Sequence, residues 1–303
     1  MARLFDAYIM VDWSAASKPV TGANSIWIGV LAKDARLKFQ FTAANPDTRL
    51  KAVELITQLI AKLNRRGDRV LLGFDFSMGY PAGTAYALGL DIETMPPWKA
   101  MQAHLSSKLR DTPDNSNARF AIAAGMNYKI SKGPFPFWGA PKRDQVNTLA
   151  AKKGEFSVGR LPEYRLCEEH LRNTIKASPK SVWQLAYTGS VGSQSLTGIP
   201  HVRNLLASLD SAKLWPFETG FEELTEDALQ NTKTLIAEIY PSALEVTCGK
   251  GEILDRAQVR SIAYHYCALD GKSRLGRVFA PPKSLDRGII HKIVDEEGWI
   301  LSI

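Results

Sequence analysis

Three acidic residues lie at or near the ends of short apolar segments: Asp12 after YIMV, Asp75 after RVLLGF, and Glu238 within TLIAEIYP. An ionised carboxylate in an apolar segment is unfavourable unless a cation or hydrogen-bond donors compensate it. Converging carboxylates repel one another, and Mg²⁺ or Mn²⁺ is the usual remedy when every ligand is oxygen. Two such ions on a carboxylate cluster can hydrolyse a phosphodiester. The three acids therefore predict a metal-dependent phosphoryl-transfer site, and the alternative for each is a hydrogen bond to a loop or a helix N-terminus.

A glycine- and serine-rich segment, GSVGSQSLTG at 189–198, has the composition of a phosphate-binding turn. Small residues let backbone amides approach a phosphate, and serine hydroxyls add donors. No GK[ST] sequence follows, so the segment is not a P-loop. A tight strand-to-helix turn is the alternative interpretation. With Ser14, which closely follows Asp12, the candidate substrate-binding residues here are Gly189, Ser190, Gly192 and Ser193.

Two cations, Lys142 and Arg143, follow an aromatic loop with the sequence PFPFWGAP. Residues 99–180 hold fifteen Lys and Arg against seven Asp and Glu. Cations beside stackable rings suit a nucleic-acid strand or a nucleotide, so we predict such a partner at Lys142 and Arg143. The alternatives are a mixed, solvated surface and a loop whose rings pack on the core.

The elements that must position these residues follow a pattern of three strands, one helix and a further strand. The apolar runs predict strands at 8–13, 25–32 and 37–42, of which the last two form a hairpin. Apolar residues at three- and four-residue spacing then predict a helix over 48–66 with Asp47 as its N-cap. A buried strand follows at 69–75. A hairpin followed by a helix crossover predicts a mixed sheet with at least one parallel pair.

The rest of the chain is less regular. Segment 182–200 is interpreted as a strand followed by the glycine-rich turn, 234–241 as a strand, and 255–269 as a helix. Further helices are predicted at MPPWKAMQAHLSSKL and after Leu161-Pro162. No flexible linker brackets the middle of the chain. We therefore predict one domain over 1–303, with a core at 1–80 and 233–303 and a large elaboration at about 81–232 after the fourth core strand.

Composition excludes several classes of protein. Apolar residues make up 45% of the chain and charged residues 23%, which is ordinary for a globular protein. No apolar run approaches the roughly 20 residues of a membrane helix, and two aspartates lie too early for a secretory signal. We expect a cytoplasmic protein with no membrane partner. Its three cysteines show no CxxC spacing, which argues against a disulfide framework or a thiolate zinc site and favours buried free thiols.

Four segments, YIMVDWSAA, LLGFDFSMGYP, GSVGSQSLTGIP and AEIYPSAL, resemble an uncharacterised bacterial family of predicted nucleases with an RNase H-like fold. The resemblance implies an α/β protein whose mixed sheet is flanked by helices. It also implies that Asp12, Asp75 and Glu238 are metal ligands and catalytic residues. Such nucleases place a further acid on the last core helix, where this sequence offers Asp255 at the start of the helix and Asp270 just past its end; Asp255 is the candidate.

Other functions remain open at this point. Relatives in the resembled family are often described as participants in cobalamin or molybdopterin dinucleotide biosynthesis, so one alternative is a non-catalytic or small-molecule-binding protein on the same scaffold. Sugar-kinase and actin-like proteins share the superfold, but they need two copies of the opening strand–helix pattern and this chain shows one. The geometry of the acids separates these hypotheses.

Overall fold

A single mixed sheet of six strands is the centre of the molecule, which the computed structural model describes over residues 3–157, 160–187 and 189–302. The strands lie in the order β3-β2-β1-β4-β6-β5. Their bounds are β1 Ala7–Asp12, β2 Trp27–Lys33, β3 Phe39–Ala44, β4 Val70–Phe74, β5 Ala212–Leu214 and β6 Thr234–Glu238. The expectation of an α/β protein with a mixed sheet between helices is confirmed at this level.

The predicted hairpin and crossover are both present. β1, β2 and β3 pair antiparallel, and β4 then pairs parallel to β1 after the helix α1, Arg49–Arg65. Ala52, Ile56 and Ile60 form the buried stripe that holds α1 against the sheet. The N-cap is Thr48, whose hydroxyl accepts from the Lys51 amide at 3.4 Å, and not the predicted Asp47.

Eight helices in the described residues surround the sheet. Besides α1 they are α2 Thr84–Ala87, α3 Pro97–Lys108, α4 Arg119–Ser131, α5 Leu166–Thr174, α6 Val191–Ser208, α7 Leu254–Gly271 and α8 Arg287–Lys292. Short 3₁₀ turns and a π-helical turn, Ile293–Glu297, join them. The short strand β5, which the sequence pattern did not predict, adds the middle of the chain to the edge of the sheet beside β6.

Alternate residues of each central strand face two separate hydrophobic cores. Ile9 and Val11 of β1 pack in the core that includes residues of α1, α3 and α6, whereas Tyr8 and Met10 pack in the core that includes residues of α7. This alternation follows from the two-residue period of a β-strand. It also fixes the side of the sheet on which each residue at a strand end emerges. None of the helices described is both long and apolar enough to cross a bilayer.

Candidate active site

The carboxyl ends of β1 and β4 bring two of the predicted acids together. Val11 pairs with Phe74 in the parallel register, and the Asp75 amide donates to the Val11 carbonyl at 3.3 Å, so Asp12 and Asp75 follow in step. One Asp75 oxygen accepts the Trp13 amide at 2.7 Å. No described residue donates a hydrogen bond to the Asp12 carboxylate.

Neither Asp12 nor Asp75 forms an ion pair with a cation among the described residues. Burial raises the pKa of Asp12 to about 9, and the negative charges of Asp75 and Asp255 raise it further. Burial also raises the pKa of Asp75 to about 7, although the Trp13 amide opposes this rise. Both effects disfavour the ionised form. A bound cation would reverse this balance.

The third acid of this group is Asp255, in the first turn of α7. Its carboxylate accepts the Asn24 amide at 2.6 Å and is close enough to raise the pKa of both strand-end aspartates. α7 packs across β1 and β2, and this packing brings its N-terminal turn to the edge where Asp12 lies. The structure thus places Asp255 beside the pair formed by Asp12 and Asp75.

Glu238 occupies a different environment from the one the sequence predicts. Its register partner on β4 is Phe74, which faces the α6 side of the sheet, whereas the position on β6 in step with Asp75 is Ile239. Both Glu238 oxygens bind the buried Arg165 guanidinium, at 2.5 and 2.8 Å, and one also accepts the Met78 amide at 3.0 Å. Glu238 is thus held in a buried ion pair on the other face of the sheet from Asp75, although its charge is close enough to raise the pKa of Asp75.

A cavity of about 900 Å³ opens beside the aspartates and collects most of the predicted residues. One part of its wall is acidic, with Asp12 and Asp255, and another is basic, with Arg119 and Arg143. Ser14 lines it and donates its hydroxyl to the Asn24 carbonyl at 3.3 Å. The cavity has the size of a small-molecule site, for which about 300–1,000 Å³ is typical. The predicted residues in its lining are Asp12, Ser14, Arg143, Gly189, Ser190, Ser193 and Asp255.

The glycine- and serine-rich segment forms the N-terminal half of helix α6 and not a strand followed by a turn. Gly192 fits tightly against the Val182 and Gln184 carbonyls, to which it comes too close for a side chain, and its amide donates to the second of these. A Cβ at Gly198 would collide with the Phe76 ring. The small residues therefore let α6 pack closely, and Gly192 is a packing residue outside the cavity lining.

The serine hydroxyls of this segment differ in how many hydrogen bonds they already make. The Ser193 hydroxyl donates to the Leu185 carbonyl at 2.5 Å and accepts from Arg119, so its capacity is used. Ser190 is the N-cap of α6, yet its hydroxyl makes no hydrogen bond to the described residues. Ser195 also has a hydroxyl without a partner in the described residues, but it is fully buried and outside the cavity lining. Ser190 is thus the serine of this segment that combines a free hydroxyl with a place in the lining.

Of the two predicted cations and the aromatic loop before them, Arg143 lines the cavity and Lys142 does not. The Arg143 side chain is exposed, with a 3.2 Å ion pair to Asp144. Phe135 and Phe137 are buried, and Phe137 packs edge-on against Trp183. These two rings are therefore buried, which was the alternative interpretation, and Trp138 of the same loop is partly buried against the core.

Donor chemistry decides which residues fit a divalent cation. No group of three or more His, Cys, Asp or Glu in the described residues is arranged to hold a metal ion. Asp12 and Asp75 nevertheless fit one in type, because they are adjacent carboxylates with no paired cation in this part of the structure. Mg²⁺ is commonly bound through one or two carboxylates and completed by water and substrate phosphates. The residues fit such a site and not a preformed cage of three acids.

The sequence patterns did not single out several polar residues of the cavity lining, among them Ser17, Asn24, Arg119 and Gln194. Gln194 donates to the Trp13 carbonyl at 2.5 Å and thereby ties the turn after β1 to α6. Arg119 belongs to the basic region 99–180, but no local motif distinguishes it from the other cations there. Of the cysteines, Cys167 and Cys267 are buried and Cys248 is exposed, all without a disulfide.

Comparison of the chain with protein-family models, with curated proteins and with solved structures gives no match.

Proposed function

We propose that this protein is a metal-dependent phosphoryl-transfer enzyme of RNase H-like fold that hydrolyses a phosphate ester of a nucleotide or nucleic acid. The proposal depends chiefly on one observation: a single cavity carries two carboxyl groups with no paired cation in the described residues, Asp12 and Asp255, on one part of its wall, and Arg119 and Arg143 on another. Asp75 lies next to Asp12, outside the cavity lining. Carboxylates suit a divalent cation, and arginines suit the phosphate that such a cation activates.

The topology supports the fold assignment. Three antiparallel strands are followed by a helix and by a strand parallel to the first, and the acids lie at the carboxyl ends of the two central strands. Asp255, at the start of a helix packed on β1 and β2, adds an acid from a separate element. The resembled family implies acids on the first strand, the fourth strand and the last core helix, which Asp12, Asp75 and Asp255 match, and also the glutamate Glu238, which here is bound by Arg165.

The roles of the residues follow from their environments. Asp12 and Asp75 would hold Mg²⁺ or Mn²⁺, which when bound neutralises phosphate charge and lowers the pKa of a coordinated water. The Trp13 amide orients Asp75, and the Asn24 amide orients Asp255. Arg119 and Arg143 supply positive charge for the phosphate, and a Ser190 hydroxyl can donate to it.

A second candidate function has an observation in its favour. Glu238 is fully engaged by Arg165, and the described part of the chain contains no group of three metal-ligating side chains. A protein that binds a nucleotide or a related cofactor precursor without hydrolysing it needs the cavity and its arginines but not a complete catalytic cluster. This is the small-molecule-binding alternative.

The test is a hydrolysis assay with Mg²⁺ or Mn²⁺ on single-stranded and duplex oligonucleotides, an RNA–DNA hybrid, and nucleoside mono- and triphosphates. We expect turnover of at least one substrate, lost on chelation and in Asp12→Asn and Asp75→Asn. Asp6→Asn, just before the opposite end of β1, should retain activity, because Asp6 pairs with Lys33 away from the cavity.

Thermal unfolding separates the two candidate functions. Millimolar Mn²⁺ should raise the Tm of the wild type more than that of Asp12→Asn, because a ligand that binds only the folded state stabilises it. Nucleotide binding without turnover and without a Mn²⁺ effect would favour the binding protein. Absence of turnover, of metal stabilisation and of nucleotide binding would refute both.

A further inference from the structure

Three arginines are buried in the described parts of the chain: Arg49, Arg119 and Arg165. They differ in whether a carboxylate neutralises their charge. Arg49 binds both oxygens of Asp111, at 2.6 and 2.7 Å. Arg165 binds both oxygens of Glu238. Arg119 has no carboxylate within ion-pair distance in those parts, although a buried charge normally requires one.

The hydrogen bonds of Arg119 go to neutral groups. Its Nε donates to the Ser193 hydroxyl at 3.1 Å, one terminal nitrogen donates to Asn117 Oδ1 at 3.1 Å, and the other donates to the Ser17 hydroxyl at 2.9 Å. A guanidinium has five N–H donors. One N–H on each terminal nitrogen therefore remains without an acceptor among the described residues. An oxyanion takes such a pair of donors in a bidentate manner.

Two carboxylates are near enough to raise the pKa of Arg119, and both are already paired with other cations. Asp111 binds Arg49, and Asp144 binds Arg143. Burial and the charge of Arg49 lower the pKa of Arg119 to about 10, so the side chain stays cationic at neutral pH. The result is a positive, desolvated group that its own scaffold holds in place but does not neutralise.

The position of Arg119 gives this charge access to a ligand. It lies where the 900 Å³ cavity meets a neighbouring cavity of about 700 Å³, and both cavities are lined by Ser17, Phe120 and Arg143 as well. Arg119 is also the first residue of α4, so the positive end of the helix dipole adds to its field. Neither Arg49 nor Arg165 lines these cavities.

We propose that Arg119, held by Ser17, Asn117 and Ser193, is a phosphate-binding site for a nucleotide-type ligand. The identification of that phosphate as part of the substrate rests on the proposed function, but the anion site itself does not. Phosphate fits because its oxygens can accept both free N–H groups, and the exposed Arg143 adds charge at the mouth of the cavity.

The test is calorimetric titration of the full chain with inorganic phosphate at constant ionic strength, with chloride as the compensating anion. We expect saturable binding by the wild type. Arg119→Met should weaken binding about 10- to 100-fold, the range for a lost charge-assisted pair. A nucleoside 5′-monophosphate should bind more tightly than its nucleoside and compete with inorganic phosphate. An oligonucleotide that competes only when 5′-phosphorylated would locate the contact at a terminal phosphate, and one that competes without it would locate the contact at an internal phosphate.

Stability provides the matched control. Arg119→Met should be as stable as the wild type or more so without phosphate, because it removes an unpaired buried charge, whereas Arg203→Met on the exposed face of α6 should change neither stability nor binding. Arg119→Lys keeps the charge but loses the bidentate fork, so it decides the question should the methionine variant fail to fold. Wild-type affinity in Arg119→Lys, or no phosphate binding by the wild type, overturns the proposal. Asp12→Asn should still bind phosphate, so a failure of catalysis and a failure of this site are distinguishable.

Discussion

Replacement of Asp75 by asparagine distinguishes two roles for this residue: a negative charge that serves function, or a hydrogen-bond acceptor that stabilises the fold. The substitution preserves the shape of the side chain and an oxygen that can accept the Trp13 amide, which now lies at 2.7 Å. It removes the ability to ionise. If the negative charge of Asp75 is a cost that the scaffold bears for a ligand, the variant should be the more stable protein wherever Asp75 is ionised.

The magnitude follows from the pKa. Burial moves the pKa of Asp75 from its ordinary 3.8 to about 7, and each pKa unit corresponds to about 1.4 kcal/mol. Ionisation of Asp75 in the folded protein therefore costs on the order of 4 kcal/mol, an upper limit because the surroundings can relax. The weaker hydrogen bond from Trp13 to an amide offsets about 1 kcal/mol of this. We expect a gain of about 1–3 kcal/mol for Asp75→Asn at pH 8.

The sign of the pH dependence is specific to a raised pKa. Between pH 4 and pH 7 the folded protein holds a proton on Asp75 that the unfolded chain has released, so the free energy of unfolding falls as the pH rises. At pH 5 Asp75 is neutral in the folded wild type but ionised in the unfolded chain, which lowers the stability of the wild type by only about 1.7 kcal/mol. After the same offset of about 1 kcal/mol, the variant and the wild type should differ by less than about 1 kcal/mol at this pH. The variant should also show a lower pKa for Asp12, because the charge of Asp75 raises it now.

The assay is urea denaturation followed by tryptophan fluorescence at pH 5 and pH 8, with a chelator present. Glu297 also has a pKa raised to about 7, so the difference between variant and wild type, and not the wild-type profile, reports on Asp75. Asp210→Asn, which removes an exposed carboxylate with no hydrogen bond to the described residues, should match the wild type at both pH values. Lower stability of Asp75→Asn at both pH values would refute the reasoning and make Asp75 a structural acceptor.

Three further predictions concern the scaffold and the cavity. Arg165→Met should destabilise the fold by about 3–5 kcal/mol in urea titrations, because it leaves Glu238 buried and unpaired; a loss below about 1 kcal/mol would contradict the buried pair. Gly198→Ala should cost about 1–3 kcal/mol, because the added methyl group meets a buried aromatic ring; an unchanged denaturation midpoint would show that α6 can shift freely. Arg143→Ala should reduce the salt dependence of oligonucleotide or nucleotide binding, measured by fluorescence anisotropy, whereas Lys142→Ala should not, because only the first lines the cavity. Equal effects of the two would place the ligand outside the cavity.

Periodicity predicted those elements whose burial follows a regular pattern. β3 alternates and α1 repeats every three or four residues, whereas β4 and β6 were predicted from continuous apolar runs that are buried throughout. The prediction of a strand and a turn at the N-terminal half of α6 was wrong, because glycines and serines are typical of turns. Here Gly198 is small because the Phe76 ring packs against it. Close packing between distant segments leaves only small residues in the sequence, and small residues are also what turns contain.

The sequence predicts that the acids lie near strand ends, but it does not predict on which face of the sheet each side chain lies. Asp75 stands one position beyond the last residue of β4, whereas Glu238 is the register partner of that last residue, Phe74. A difference of one position puts successive side chains on opposite sides of a sheet. Strand register cannot be read from one sequence, so the sequence pattern assigns Asp12, Asp75 and Glu238 the same role. The register separates Glu238 from the pair and leaves Asp255, from α7, in its place.

The contrast among the buried arginines gives the strongest reason to place the function in this cavity. Arg49 neutralises Asp111 and also donates to the Ser14 and Ala16 carbonyls, at 3.1 and 2.8 Å, so it fixes the loop that follows Asp12. Such a scaffold is able to compensate a buried charge where it needs to. Around the cavity, within the described residues, it leaves the Asp12 carboxyl group without a hydrogen-bond donor and the Arg119 guanidinium without a counter-ion. A ligand that brings a cation to the first and a phosphate to the second would complete both, and a metal-bound phosphate ester does this with one molecule.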